Sequence, residues 1–301
     1  MEDIERIKSR LENIQSVEPI ITSLRTIAAG GWRLALRNTQ TSRLYVENLS
    51  HALAGLLPQV GRGALAKAHI VPGESRHRRV IMLVIASERG LCGAFNDIVL
   101  QGAERLIAQQ QLRSDQVFIA TLGSRATAHF SARGRELFSA HALPLTRVAS
   151  FELVRDLSTE LLGYVDSGEI DAVYAVYSPY QVAGLLPPVS RLWVPVESDE
   201  LPVGMGDEPS PIVESDRDEL LRRALGAWVH VRLYQFVIES AASEQAARFR
   251  AMEAASNNLA RIIDELTLSY HTARQHAITM EMLDLVAGAG ILRRPSRRGR
   301  A

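Results

Sequence analysis

The apolar positions at the start of the chain advance in steps of three and four: Ile4, Ile7, Leu11, Ile14, Val17, Ile21, Leu24, Ala28. That is the rhythm of a helix whose apolar stripe packs against a second helix. An extra step of three at Val17 predicts a stammer, which changes the local winding of a coiled coil. Pro19 lies beside it and predicts a kink or a fresh first turn. The alanines and Gly30-Gly31 predict close approach of a partner helix.

The matching stripe is at the other end. Between Pro211 and Gly288 there is no proline and a single glycine, Gly226. Ser215, with Asp218 three residues on, predicts a capping box at the start. A helix of about 70 residues would be ~105 Å long, far beyond the diameter of a domain of this size, so it must project and pair. Leu259, Ile262, Leu266, Tyr270, Ala273, Ala277 and Met280 supply the seam.

Between these ends the rhythm is that of buried strands. The continuous apolar run 80–86 (VIMLVIA) predicts a strand covered on both faces. A helix is expected over 97–112, a strand over Val117–Leu122, and a helix after Gly123-Ser124. A helix over Phe151–Asp166, a strand over Ala172–Tyr177 and an edge strand over 191–196 complete the series. Such alternation predicts a small, mostly parallel sheet. The fold class expected is α/β: a long antiparallel coiled coil of the N- and C-terminal helices with an inserted Rossmann-like, mostly parallel α/β domain. The expected divisions are 1–66 and 211–292 for the helices, 67–210 for the inserted domain, and 293–301 for a basic tail, RRPSRRGRA.

Composition narrows the chemistry. The 301 residues carry 34 basic and 34 acidic groups, so no net field holds the chain on nucleic acid or anionic lipid. A single cysteine, Cys92, excludes an internal disulfide and a cysteine-built metal site. The acidic, polar opening MEDIERIKSR does not read as a secretory signal, and no run of 18 apolar residues predicts a membrane span. The eight histidines show no zinc spacing; His271 and His276, five apart, read as surface residues. No cofactor, metal or catalytic constellation is expected.

Five features leave readings open. Gly90 and Gly93 follow a strand and precede a helix, so they fit a phosphate cradle or structural turns; the G-x-G-x-x-G pattern and a Walker lysine are absent. Cys92 is a nucleophile or a small buried hydrophobe. Gly123-Ser124-Arg125 is an anion site or a helix start with Ser124 as the N-cap. Gln275 and Thr279 share a helix face, with Arg274 and Glu281 on an adjacent stripe, and are a partner contact or solvated surface. The tail arginines, Arg293, Arg294, Arg297, Arg298 and Arg300, are a solvated tail or a contact to an acidic surface or lipid headgroups.

Residues 87–96 (SERGLCGAFN) resemble the S-D-R-G-L-C-G-x-F-N signature of the gamma subunit of F-type ATP synthases. Ser87, Arg89, Gly90, Leu91, Cys92, Gly93, Phe95 and Asn96 carry that match. The stretch 251–292 is similar to the most distinctive segment of the same family, and the layout between fits, so the resemblance covers essentially the whole chain. It implies a rotary shaft: a coiled coil inside a hexamer of alpha and beta subunits, above a foot that meets the epsilon subunit and the membrane rotor ring. It implies no active site on this chain, no nucleic acid partner and no membrane span of its own. It further implies a peripheral place on the cytoplasmic side of a bacterial plasma membrane. Positions matching Arg274, Gln275, Thr279 and Glu281 touch a beta-subunit loop in the family. The usual N-terminal pattern K-I-T-K-A-M-x-M-V-A-A-x-K is reduced here to Ile27-Ala28-Ala29, a divergent feature. The alternative is a nucleotide-binding α/β enzyme with a coiled-coil oligomerisation arm.

Overall fold

The computed structural model describes residues 2–60, 70–71, 79–109, 114–145, 148–181, 184–185, 187–197 and 216–292. Ser215 and the basic tail lie outside them. The chain divides into two compact units: Thr26–Ala251, and Met1–Arg25 together with Met252–Ala301.

Two long helices run through both units, α1 at Glu2–Leu56 and α5 at Arg217–Leu292. Pro19 neither breaks nor restarts α1, which continues helical on both sides of it. The expected stammer is also absent. Val17 is 40% exposed, and the seam keeps strict heptad step through Ile14, Ile21, Ala28, Ala35, Ser42, Leu49 and Leu56, all buried or half-buried. Val17 suggested a phase shift because the in-step position holds the charged Glu18, which is exposed. At the start of α5, Asp216 is the cap: the Glu219 N–H donates to its Oδ1 at 2.8 Å. Asp218 and Glu219 add negative charge to the first turn, where the helix dipole favours it.

In the Thr26–Ala251 unit a five-stranded sheet forms from β1 (Val80–Ile85), β2 (Val117–Leu122), β3 (Leu137–His141), β4 (Ala172–Tyr177) and β5 (Val189–Val194). Its order is β3-β2-β1-β4-β5, parallel except for β5 at one edge. Strand β3 is absent from the sequence expectation because its alternation spans only five residues. Among the described residues the other α-helices are α2 (Phe95–Gln109), α3 (Ser124–Ala132) and α4 (Phe151–Asp166).

All six residues of β1 are buried, as its unbroken apolar run requires. Ile81, Leu83 and Ile85 face one core with α4 and the two long helices; Met82 and Val84 face a second with α2 and α3. Helix α5 is buried on several sides here, with Gln235, Phe236, Val237 and Ile238 all buried in succession. Helix α1 runs antiparallel to it: Gly31 meets Gln245, Asn38 donates to Tyr234 Oη at 3.1 Å, and Ser50 accepts from Trp228 Nε1 at 3.0 Å. A Cβ on Gly31 would come within 3.1 Å of Gln245, which confirms the close approach there; Gly30 faces open space.

In the other unit, Ile4, Ile7, Leu11, Ile14, Ile21 and Leu24 of α1 are half-buried. So are Leu259, Ile262, Leu266, Tyr270, Ala273 and Ala277 of α5. Met280, expected to continue the seam, is 48% exposed. Exposure continues through Met282, Leu283, Leu285 and Val286. Among the described residues no helix is long and apolar enough to cross a membrane.

Candidate functional site

The turn at 87–96 leaves the C-terminal end of β1, beside β4. In an open parallel sheet, that point, where strand order reverses, is where a ligand crevice forms. Helix α5 fills it. Ala247 belongs to the same core as Cys92 and Phe95, Ser243 Oγ donates to the Pro179 carbonyl at 2.9 Å, and a Cβ on Gly93 would sit 3.7 Å from that of Ala251.

The turn is also closed from within. The Ser87 N–H donates to Asn96 Oδ1 at 3.2 Å, and Ser87 Oγ donates to the Arg89 carbonyl at 2.6 Å. Asn96 Nδ2 donates to Cys92 Sγ at 3.1 Å. Ser87, Cys92 and Phe95 are buried. The signature residues therefore hold each other, which gives the motif's polar members a structural task. Gly93 has φ +56°, a conformation that favours glycine. A Cβ on Gly90 would sit 2.7 Å from the Arg125 guanidinium. Both glycines are engaged by protein groups, which favours structural turns over a phosphate cradle.

Burial pushes the Cys92 thiol above its ordinary pKa, and the nearby Glu244 adds to this. The thiol stays protonated and enclosed, the condition of a structural cysteine. The anion reading of Gly123-Ser124-Arg125 is answered by the chain itself. Glu88 Oε2 accepts from the Ser124 N–H at 3.0 Å and the Leu143 N–H at 2.9 Å, and Ser124 Oγ donates to Oε1. Desolvation raises the Glu88 pKa, but the bonds from Ser124 and Leu143 outweigh it and hold the carboxyl below its usual range. Ser124 is thus the first helical residue and not the N-cap, which is Gly123.

Two further residues complete the site. Arg248 of α5 donates through Nη2 to the carbonyls of Arg89 at 3.1 Å and Gly90 at 3.3 Å. Its Nη1 lies 2.6 Å from Oε1 of the buried Glu244. Sequence reading passed over Glu88, Glu244 and Arg248. The available signal for the last two was an acid and a base four apart within an otherwise small and apolar stretch of helix.

Arg274, Gln275, Thr279 and Glu281 are all exposed on α5. Thr279 Oγ1 donates to the Gln275 carbonyl at 2.9 Å, along its own helix. His271 and His276 are exposed as expected. Among the described residues no group of three or more His, Cys, Asp or Glu could hold a metal ion.

Comparison with known proteins agrees with this geometry. A model of the ATP synthase family matches residues 3–292. The chain is 28% identical over 293 residues to the ATP synthase gamma chain of Paracoccus denitrificans (strain Pd 1222), covering 97% of this chain and 100% of that one. It is 29% identical over 286 residues to the gamma chain of Chloroflexus aurantiacus (strain ATCC 29366 / DSM 635 / J-10-fl), covering 95% and 97%. In fold it is similar to a chain in the Euglena gracilis mitochondrial ATP synthase, OSCP/F1/c-ring, rotational state 3, with a TM-score of 0.66 at 14% identity, covering 99% and 97%. A second likeness is to the central stalk/c-ring structure of the Tetrahymena thermophila mitochondrial ATP synthase, with a TM-score of 0.57 at 18% identity, covering 79% and 99%. A coiled coil of both chain ends, a Rossmann-like sheet whose crevice is filled by the shaft helix, and a family match across nearly every residue converge: the chain belongs to the ATP synthase gamma-chain family.

Proposed function

We propose that this chain is the central rotor shaft of an F-type ATP synthase. It couples ion-driven rotation of a membrane ring to conformational change in catalytic beta subunits, and has no active site of its own. The observation that carries the reading is α5: one helix of 76 residues, rooted in the core of the sheet unit and ending in exposed apolar and polar side chains. Its partners in this reading are the alpha and beta subunits around the coiled coil, and the epsilon subunit and rotor ring at the foot. The complex is peripheral to the cytoplasmic side of a bacterial plasma membrane.

The physical requirement is differential contact. A shaft with equal affinity for every beta conformation would shift none of them. Moving a two-state site from 1:99 to 99:1 takes about 5.5 kcal/mol of differential interaction. Arg274, Gln275, Thr279 and Glu281 are the residues assigned here to the beta-subunit contact. All are exposed on α5, and none belongs to a hydrophobic core.

The test is assembly of the purified chain with alpha and beta subunits from the same source, followed by ATPase and rotation measurements. A complex whose ATP hydrolysis turns the shaft is expected. ATP turnover without rotation, or no complex, would overturn the reading. Replacing Gln275 and Thr279 together by alanine is expected to weaken coupling while circular dichroism stays close to wild type. Normal coupling would remove these two residues from the contact.

A further inference from the structure

Helices α1, α4 and α5 border a cavity of about 560 Å³ inside the Thr26–Ala251 unit. That volume falls in the range of small-molecule pockets, and the space between packed helices is one of their usual places. Each helix contributes side chains at one-turn spacing, which puts them on a shared face. Asn38 and Tyr45 come from α1, Phe151 and Arg155 from α4, and Ala227, His230 and Tyr234 from α5. No residue of the signature turn lines this cavity, nor does Glu244 or Arg248.

The wall is aromatic. Phe151 and Tyr234 meet edge to face, with ring centroids 5.6 Å apart and planes at 87°. Such a pair offers a large apolar area on side chains that have few torsions to freeze. Ala227 adds no bulk beyond its methyl group, and so leaves room between the rings of α4 and α5.

The polar groups are set to donate. Tyr234 Oη accepts from Asn38 Nδ2 at 3.1 Å, which leaves its own O–H for another acceptor. Burial raises the Tyr234 pKa and Glu152 adds to it, so the phenol keeps its proton. His230 Nδ1 lies 2.5 Å from Ser158 Oγ. Burial, and then the charge of Arg155, lower the His230 pKa, so the ring is uncharged at neutral pH.

Arg155 is then the one residue with a full charge among those lining the cavity, and it stands exposed on α4. Its Nη2 donates to Asp156 Oδ1 at 3.2 Å, and the guanidinium fork has further N–H groups to give. An apolar cavity with a guanidinium at its rim complements an anion with an apolar body. A cationic ligand would meet Arg155, and a purely apolar one would leave the donors without acceptors.

We propose that this cavity binds a small amphipathic monocarboxylate, its apolar body against Phe151 and Tyr234 and its carboxylate on Arg155. The proposal goes beyond the central-shaft reading and does not depend on it. Arginine suits the task because its fork can hold a carboxylate through two parallel bonds.

The experiment titrates the purified full chain by isothermal calorimetry with phenylbutyrate and, separately, with phenylbutanol, its uncharged analogue. One phenylbutyrate per chain is expected, bound about tenfold more tightly than the alcohol, the worth of one charge-assisted hydrogen bond. Arg155→Gln should weaken phenylbutyrate about tenfold and leave the melting temperature unchanged, because Arg155 is exposed. Ala227→Leu fills part of the cavity and should abolish binding of both compounds while circular dichroism stays close to wild type. No heat of binding at millimolar phenylbutyrate would overturn the proposal, and so would equal affinity for acid and alcohol. Full-strength binding in either variant would place the ligand elsewhere and overturn it too. If Ala227→Leu did not fold, Arg155→Gln and the paired ligands would still decide.

Discussion

Helices α1 and α5 supply both compact units, yet the same heptad rhythm is used differently in each. In the Thr26–Ala251 unit its positions are closed off: Ala28, Ala35, Thr39, Ser42, Val46, Leu53 and Leu56 of α1 are all buried. In the other unit Ile4, Ile7, Leu11, Ile14, Ile21 and Leu24 are only half-buried, and the in-step Glu18 is exposed. The difference lies in the number of layers. Two helices alone bury one stripe each and leave their backs in water; a sheet added behind α5 encloses it on several sides. Helical pattern therefore predicts where a seam runs but not how deeply it is buried.

The largest expected effect tests the closed unit. Trp228 is 1% exposed and bonded to Ser50, so Trp228→Ala should cost about 3–5 kcal/mol in chemical denaturation. A loss below ~2 kcal/mol would mean that the N-terminal part of α5 is not packed into the core as described. Next comes Gly123→Ala. A Cβ there would sit 2.3 Å from the Ala86 carbonyl oxygen at φ +102°, and the expected cost is about 1–3 kcal/mol with a lowered Tm.

The half-buried unit should be more forgiving. Ile14→Ala should cost about 1–2 kcal/mol, read from the same denaturation curves or from amide exchange in residues 7–21. If it matched Trp228→Ala, the contrast between the units would be wrong.

Glu88 gives a pH signature. Its carboxyl is held below the ordinary range in the folded state, so its stabilisation is present at neutral pH and is lost as pH falls through that lowered value. Much of the group is solvated, so screening keeps the contribution of Glu88→Gln below about 1 kcal/mol at neutral pH. The difference from wild type should close in acid. A gap that persisted or widened in acid would place the stabilisation elsewhere. The smallest effect is Val17→Ala. At 40% exposure and off the seam, it should change stability by less than ~0.5 kcal/mol, whereas a stammer centred on Val17 would make it as costly as Ile14→Ala.

Much of the fold was legible in the sequence. The unbroken run 80–85 forms a central strand, since only a doubly covered strand accepts six apolar residues in a row. The proline-free C-terminal stretch is one helix. The misreadings share a cause. Val17 and Met280 have the side-chain type and spacing of seam residues, yet apolar residues also occupy surfaces, and spacing alone cannot tell them apart. Ser124 looked like a cap because a serine commonly fills that place, while the group that bonds to its N–H comes from Glu88, 36 residues away.

The sequence by itself determined the period of each segment, helical at both ends and strand-like between, because side-chain alternation is local and repeats along the chain. It also determined the family, through a signature turn that needs its serine, glycines and asparagine close together in order. Only the tertiary structure decided that α5 fills the crevice at the end of the sheet, that Glu88 supplies the anion at α3, and that Arg248 reaches back about 160 residues to hold the turn. Those decisions join residues far apart in sequence through hydrogen bonds and close packing, and such partners leave no period in the chain for a sequence pattern to reveal.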